Sequence, residues 1–495
     1  MGGKLGNKGT PRALTLQLLR TVSKANEASA REMGLAGGPH GAKALFVKDF
    51  AGAFQSLKKL ADVRALVGVN RSQTLAVLDG NVMMNAMPNT ADTFHTYVSI
   101  ISAQIEEACQ AAAHVVVVFD EPEAVTMAKR SEQRRRDEMR QARVPVCSAD
   151  LVATITNDNY STNDLLTNGC SVKLLMEFRK ARPRFYDAVC VAVMNRFRAA
   201  MEGGAWSLTF DGIDMRGGDR GHGVPRDAGI LSSDDAFWQP LLNREVPIGE
   251  GDLKLTDVTQ RVHDAALREG TPVHGVVLNL VTTIDTDSFA IELLQQNRRE
   301  RRVEQEDQNE LTILCLKERA RKRAGDDHVT DAHYLCCDMQ VFHAKILEYV
   351  YGTRHLTQQV IDQQPAALAL LAVGLACCGC DFVEVKGMRA DVVLPVVRDI
   401  VRKQPEYLGK IAYLFAPERL TSFTVRKAMQ AVACVLREYL EHIKDMPRMK
   451  LAKANASNVC DAQVLRALWT CAYWHQCEFR NCEEWGFVAP ASNDK

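Results

Sequence analysis

The stretch TLAVLDGN, residues 74–81, is a short apolar run that stops at Asp79 and then turns. Two other stretches share this form. VVVVFD (115–120) stops at Asp120, and HGVVLNLVTTIDTD (274–287) stops at Asp285, with Asp287 two residues on. A β-branched run closed by a charge reads as a buried parallel strand emerging at the edge of a sheet. In an open α/β sheet, ligands bind beyond the carboxyl ends of the strands. If the three runs are neighbouring strands, four carboxylates crowd into one small volume. Like charges that close repel unless a cation lies between them. Oxygen-only ligands favour magnesium or manganese. Such ions assist attack on a phosphodiester.

The remaining sequence limits the reading without changing it. The chain has 495 residues, 46% hydrophobic and 25% charged, which is an ordinary globular composition. Its 61 basic residues balance its 61 acidic ones, so any nucleic-acid contact must come from a local patch. Fifteen irregularly spaced cysteines and the lack of a signal peptide suggest reduced thiols in the nucleus or cytoplasm. The longest apolar stretch, Ala366 to Cys380, falls short of the roughly 18–20 residues of a membrane span and reads as a buried helix. Cys377, Cys378 and Cys380, like Cys471, Cys477 and Cys482, lack paired CxxC spacing and read as buried thiols rather than zinc ligands. His343 and His475 have no convincing partners.

Between the acidic runs, Ser99 to Ala113 reads as a helix. Residues 150–200 are mostly helical, and Trp206 to Phe210 suggests a further strand ending at Asp211. Glu250 and Asp252, in PIGEGDLKLTD (247–257), fall just before or within the first turn of a helix, where its dipole favours carboxylates. Val258, Val262, Ala265 and Ala266 share one face of that helix. Asn297 to Asp331 is dense in charge and reads as a solvated helix or mobile insertion. Beyond Pro395 the pattern is helical.

Seven carboxylates therefore form the candidate metal set: Asp79, Asp120, Glu250, Asp252, Asp285, Asp287 and Asp381. Two ions about 3.5–4 Å apart need such a number to hold them and balance their charge. A basic helical stretch follows Asp120 (124–143). A cation near the scissile phosphate, at Lys129 or Arg130, would neutralise developing charge. Other arginines of the stretch, Arg134, Arg135 and Arg136 among them, would track backbone phosphates. The same run also reads as a solvated helix, with Glu132, Asp137 and Glu138 as internal partners.

These residues resemble the flap endonuclease and XPG-type 5′ nucleases, which have a PIN-like fold. LAVLDGN resembles the family's first metal-binding strand. VVVVFDEPEAVTMAKRSEQRRR is similar to its second acidic strand and KRSERR segment, which implies a phosphate role for Arg130. TTIDTDSFAI resembles the third acidic pair, and GLACCGCDFVEVKGM the last acidic motif, implying Asp381. Met1-Gly2 is a weaker likeness to the N-terminal signature and implies a nucleic-acid contact at Gly2. PIGEGDLKLTD is closer to the GEGEHK motif of the 5′→3′ exoribonucleases, and herpesvirus host-shutoff proteins carry the same acidic set. The chain departs from the flap nucleases in a shorter interval from Asp120 to Arg130, without their lysine, and in lacking the glycine-rich turn after Asp381. No clamp-binding peptide is seen. These departures suggest a divergent, viral-type member.

The resemblance implies a central, mostly parallel sheet flanked by helices, a helical arch insertion and an α-helical C-terminal region. The expected division is 1–130 and 246–296 for the nuclease core, 131–245 for the arch or cap, and 297–335 for a charged insertion. The last acidic motif with its helical hairpin would then occupy 336–400, and C-terminal helices 401–495. The implied activity is magnesium-dependent cleavage of DNA with a single-stranded 5′ end, using two ions for which manganese may substitute, with no membrane partner. RNA cleavage is the alternative. Two other readings stay open. TTIDTDSF also fits a haloacid-dehalogenase phosphatase, with Asp285 as nucleophile and Asp287 as acid. The fold could also serve as an inactive nucleic-acid scaffold.

Overall fold

The three apolar runs are neighbours in one sheet. In the computed structural model, Thr74–Asp79 (β2) lies between His114–Val118 (β3) and Leu278–Thr283 (β6), and all three are parallel. The structure describes residues 46–408 apart from single residues and gaps, the longest being 122–133, 140–152, 156–161, 217–225, 303–309, 323–328 and 378–389. Every residue of β2 and β6 is buried. Burying one Val or Leu side chain is worth about 1.5–3 kcal/mol, so these uniformly apolar runs belong at the sheet's centre.

Phe54–Leu57 (β1), Ser207–Ile213 (β4), Gly229–Ser232 (β5), Leu311–Glu318 (β7) and His333–Asp338 (β10) complete an eight-stranded sheet. Its order is β1-β10-β7-β6-β2-β3-β4-β5. The five strands from β7 to β4 are parallel; β10 and β5 run antiparallel to them at either side. Arg321–Lys322 (β8) and Val329–Thr330 (β9) form a separate ribbon.

Helices cover both faces. Leu60–Val67 (α1), Gly80–Asn85 (α2), Phe94–Ala111 (α3), Thr162–Thr167 (α4), Val172–Glu177 (α5) and Ala181–Met201 (α6) bury apolar residues against one face. Asp235–Leu242 (α7), Gly251–Glu269 (α8), Ser288–Arg302 (α9), Met339–Tyr351 (α10), Gln358–Cys377 (α11) and Ala390–Lys403 (α12) cover the other. From β2 the chain steps outward to β3 and β4 with α3 and α6 on the first face. From β6 it steps the opposite way to β7 through α9 on the second. Parallel crossovers keep one hand, so a reversal of direction forces a change of face. The seam between β2 and β6 is therefore a topological switch point, where the crevice beyond the strands stays open.

Several expectations are met locally. Val258, Val262, Ala265 and Ala266 are all buried along α8, which ends at Gly270 in the left-handed region (φ 69°). The helix expected at 99–113 is α3, capped by Thr93 accepting from the Thr96 amide. The apolar stretch from Ala366 is buried in α11, and among the described residues no helix is long and apolar enough to cross a membrane.

Other expectations need correction. Segment 297–335 is not a charged insertion: it supplies β7, which lies between β6 and β10. The apolar core of that strand, LTILCL (311–316), is short and flanked by charge runs that dominate the local composition. Segment 131–245 is not only an arch or cap. Its second half contains α6, β4, β5 and α7, all built into the sheet and its two cores. The strand expected to stop at Asp211 continues to Ile213, so Asp211 is an in-strand carboxylate. The hairpin after Asp381 and the helices beyond 408 lie outside the described residues.

A candidate acidic site at the switch point

The carboxyl edge of the sheet gathers the predicted acids. Asp79 ends β2, Asp120 lies two residues beyond β3, and Asp285 two beyond β6. Asp79 also begins α2, its Oδ1 accepting from the Val82 amide at 3.0 Å. Burial pushes the Asp79 carboxyl up to about 7. The Val82 amide works against that shift, while the charges of Asp120 and Asp285 add to it. Carboxylates at the ends of the two flanking strands thus act electrostatically on Asp79, as the strand-end pattern predicts.

The head of α8 closes over this group. The Gly251 amide donates to Asp120 Oδ1 at 2.6 Å. A Cβ at position 251 would lie 3.0 Å from that oxygen and 3.3 Å from Asn81 Nδ2, so any larger residue there needs one of those side chains to give by a few tenths of an ångström. Glu250 is the buried N-cap residue of α8, and Asp252 lies in its first turn. Asp252 Oδ1 accepts from Thr283 Oγ1 and Ser288 Oγ, each at 3.3 Å. Thr283 Oγ1 in turn accepts from the Asp285 amide at 3.1 Å, and Asp285 Oδ1 from the Asp287 amide at 3.1 Å. Six of the seven predicted acids are therefore placed along one edge, linked through β2, β3, β6 and α8. All their donor atoms are carboxylate oxygens, which suit a hard divalent cation. Among the described residues, no three His, Cys, Asp or Glu side chains stand close enough to share one ion. In donor chemistry the group fits magnesium or manganese; it does not form a closed ligand shell.

The seventh acid, Asp381, lies outside the described residues, as do Gly2, Lys129, Arg130 and Arg135. Arg134 is exposed and Arg136 half-buried. Asp137, next to Arg136 in the chain, pairs with Arg182 of α6 at 3.0 Å. His343 is buried in α10, in keeping with an ordinary core histidine.

A cationic layer behind the acids was not foreseen. Lys254 of α8 is fully buried. Its Nζ contacts Glu121, the residue after Asp120, and lies 3.5 Å from Asp211 of β4. Arg244 bridges Asp211 at 2.8 Å and Asp257 at 2.6 Å. Burial pushes the Asp211 carboxyl up, but Lys254 and Arg244 outweigh it and hold it low. The available sequence signal was a lysine on the face of α8 that also carries Leu255 and Val258.

The fold and site together define an α/β protein with a mixed, mostly parallel eight-stranded sheet and an acidic edge at its switch point. No protein-family model matches the chain, and no curated protein matches it.

Proposed function

We propose that this protein is a divalent-metal-dependent nuclease of PIN-like, 5′-nuclease organisation, cutting phosphodiester bonds in DNA with a single-stranded 5′ end. One observation carries the reading: Asp79, Asp120 and Asp285 stand at the carboxyl ends of three adjacent parallel strands, beside the switch point. Asp79, Asp120 and Asp285, with Glu250, Asp252 and Asp287 around them, are the residues that would hold magnesium. Bound, that ion supplies an activated water and positive charge for the leaving oxygen. The protein's own part is orientation. The α2 turn holds Asp79, the Gly251 amide holds Asp120, and Thr283 and Ser288 hold Asp252. By resemblance, Arg130 neutralises the phosphate, Asp381 completes the metal set and Gly2 touches the nucleic acid; by charge alone, Lys129 assists Arg130, and Arg134, Arg135 and Arg136 follow the backbone.

An RNA substrate is the second reading. The GEGD segment favours it, since the exoribonuclease-like pair Glu250 and Asp252 heads the helix that closes the site. The deciding experiment is a side-by-side assay of a labelled 5′-flap DNA, a nicked duplex and single-stranded RNA, with magnesium and with manganese. Asp79→Asn keeps an N-cap acceptor while removing the charge. Asp79→Asn and Asp285→Ala should each lower the rate about 1,000-fold or more with substrate binding retained. Unchanged cleavage by both variants, or no cleavage of any substrate by the wild type, overturns the proposal. A phosphoryl group trapped on Asp285 would replace it with the phosphatase reading.

A further inference from the structure

The helices α8 and α9 lie side by side on the second face of the sheet, and both start at its carboxyl edge. Between them runs a buried polar seam. On α8 it consists of Asp252, Thr256 and Thr259, and on α9 of Ser288, Glu292 and Arg299. Spacings of three, four and seven put each set on one helical stripe. Ser288 Oγ donates to Asp252 Oδ1 at 3.3 Å, Thr256 Oγ1 to Glu292 Oε1 at 2.6 Å, and Arg299 Nη2 to Thr259 Oγ1 at 2.6 Å. Arg299 Nη1 also donates to Thr312 Oγ1 of β7 at 2.8 Å. Thr256, Thr259, Glu292, Arg299 and Thr312 are each at most 3% exposed.

Stability does not account for this seam. Burial pushes the Glu292 carboxyl up, and Arg299 and Thr256 offset that shift only in part. The charges of Glu292 and Arg299 stand 3.8 Å apart, beyond hydrogen-bond distance. Apolar side chains of similar volume in place of such a pair are often neutral or stabilising. What the polar contacts add is direction. Apolar contact is non-directional, whereas each hydrogen bond holds at one relative position of the two helices. Sliding α9 along α8 by one turn, about 5.4 Å, would take Thr256 from Glu292 and Thr259 from Arg299. A buried charge that loses its hydrogen bonds is costly. The heads of the same helices carry part of the acidic edge: Asp252 stands in the first turn of α8, and Asp285 and Asp287 lead into α9. The axial register of the pair therefore sets the distance from Asp252 to Asp285 and Asp287.

We propose that Glu292 and Arg299, with Thr256, Thr259 and Thr312, are positioning residues: they lock the register of α8 against α9 and so hold the carboxylates at the two helix heads at the spacing a divalent cation requires. None of the five belongs to the acidic set. What the register serves rests on the proposed metal-dependent nuclease; the register itself does not.

The test uses the full chain. A triple variant, Glu292→Met with Arg299→Met and Thr312→Val, makes the seam apolar at similar volume, and the Thr256 hydroxyl can turn to the carbonyl four residues back. It should melt cooperatively at or above the wild-type temperature. Its affinity for manganese, titrated alone, should nevertheless fall about tenfold or more, the scale of loss when groups behind metal ligands are removed. With substrate, kcat should fall more than KM rises. Peptides spanning residues 249–256 should exchange amide hydrogens faster than in the wild type, while those spanning 258–266 keep wild-type protection. Thr256→Val with Thr259→Val removes both hydrogen bonds at α8 and leaves the charges in place; it takes the same measurements if the triple variant does not melt cooperatively. Wild-type manganese affinity in a folded variant, or unchanged exchange at the α8 head, overturns the proposal. Failure of both variants to melt cooperatively would mark the seam as holding the fold together, and likewise overturns it. If the wild type binds no manganese and cuts no nucleic acid, the nuclease reading fails, and exchange at the α8 head alone decides the register.

Discussion

Asp79 and Asp338 are alike in sequence: each closes an apolar run and precedes a helix. Each also caps that helix, accepting from the amide three residues on at 3.0 Å. Strand direction separates them. β10 is antiparallel to β7, so Asp338 emerges at the opposite edge of the sheet, whereas Asp79 meets Asp120 and Asp285. No local pattern reveals that difference; it exists only once the strands pair. Gly251 makes a related point, because the tight space around its Cα arises from a contact with Asp120, far away in sequence. Gly251→Ala would place a Cβ 3.0 Å from Asp120 Oδ1, so the Asp120 carboxylate must shift by a few tenths of an ångström against its 2.6 Å contact with the 251 amide. We expect a modest stability loss of about 1 kcal/mol, together with a fall in kcat of the proposed nuclease reaction that exceeds any rise in KM. Thermal unfolding and steady-state kinetics on the same preparation check this. A variant with wild-type kcat would show that the α8 contact does not orient Asp120.

At the scale of elements, α8 joins the acidic edge to the core. Its head rests on Asp120 and Thr283, and one turn further in Lys254 reaches Glu121 and Asp211. The amphipathic face of α8 was legible, because Val258, Val262, Ala265 and Ala266 repeat at helical spacing. The ion network was not, because its partners come from the β3 end, β4 and the loop holding Arg244, and no sequence period links them. Removing one partner of a buried ion pair strands the other charge, typically at a cost of about 3–5 kcal/mol. Arg244 remains beside Asp211, so Lys254→Met should fall nearer the lower figure. The double variant Lys254→Met with Asp211→Asn should recover part of that loss. Chemical denaturation of the single and double variants measures the coupling. Simple addition of the two single effects would show that Lys254 packs beside Asp211 without depending on it.

At the scale of the whole molecule, four of the five parallel strands (β2, β3, β6 and β4) were readable, and β7 and the antiparallel flanks were not. The strands β2, β3 and β6 are buried on both faces, which leaves a continuous apolar run as their signature. The strand β1, FQSL, is only half-buried, and β7 is hidden between an acidic stretch and a basic one whose charges say nothing about the six residues they flank. Yet β7, like β6, is covered on both faces: Leu314 is fully buried, facing the α9–α10 side, while Ile313 and Cys315 face the other. A carboxylate placed there has no water and no partner. Leu314→Asp should therefore cost more than about 4 kcal/mol and prevent stable folding. Leu66→Asp, on the outer face of α1 where Leu66 is 58% exposed, should change stability by less than about 0.5 kcal/mol. Circular dichroism and cooperative melting of the two variants compare them directly. If 297–335 were a detachable insertion, both variants would melt like the wild type. If β7 ties β10 and β1 to the sheet, only the Leu314 variant loses its transition, and it loses the whole transition rather than part of it.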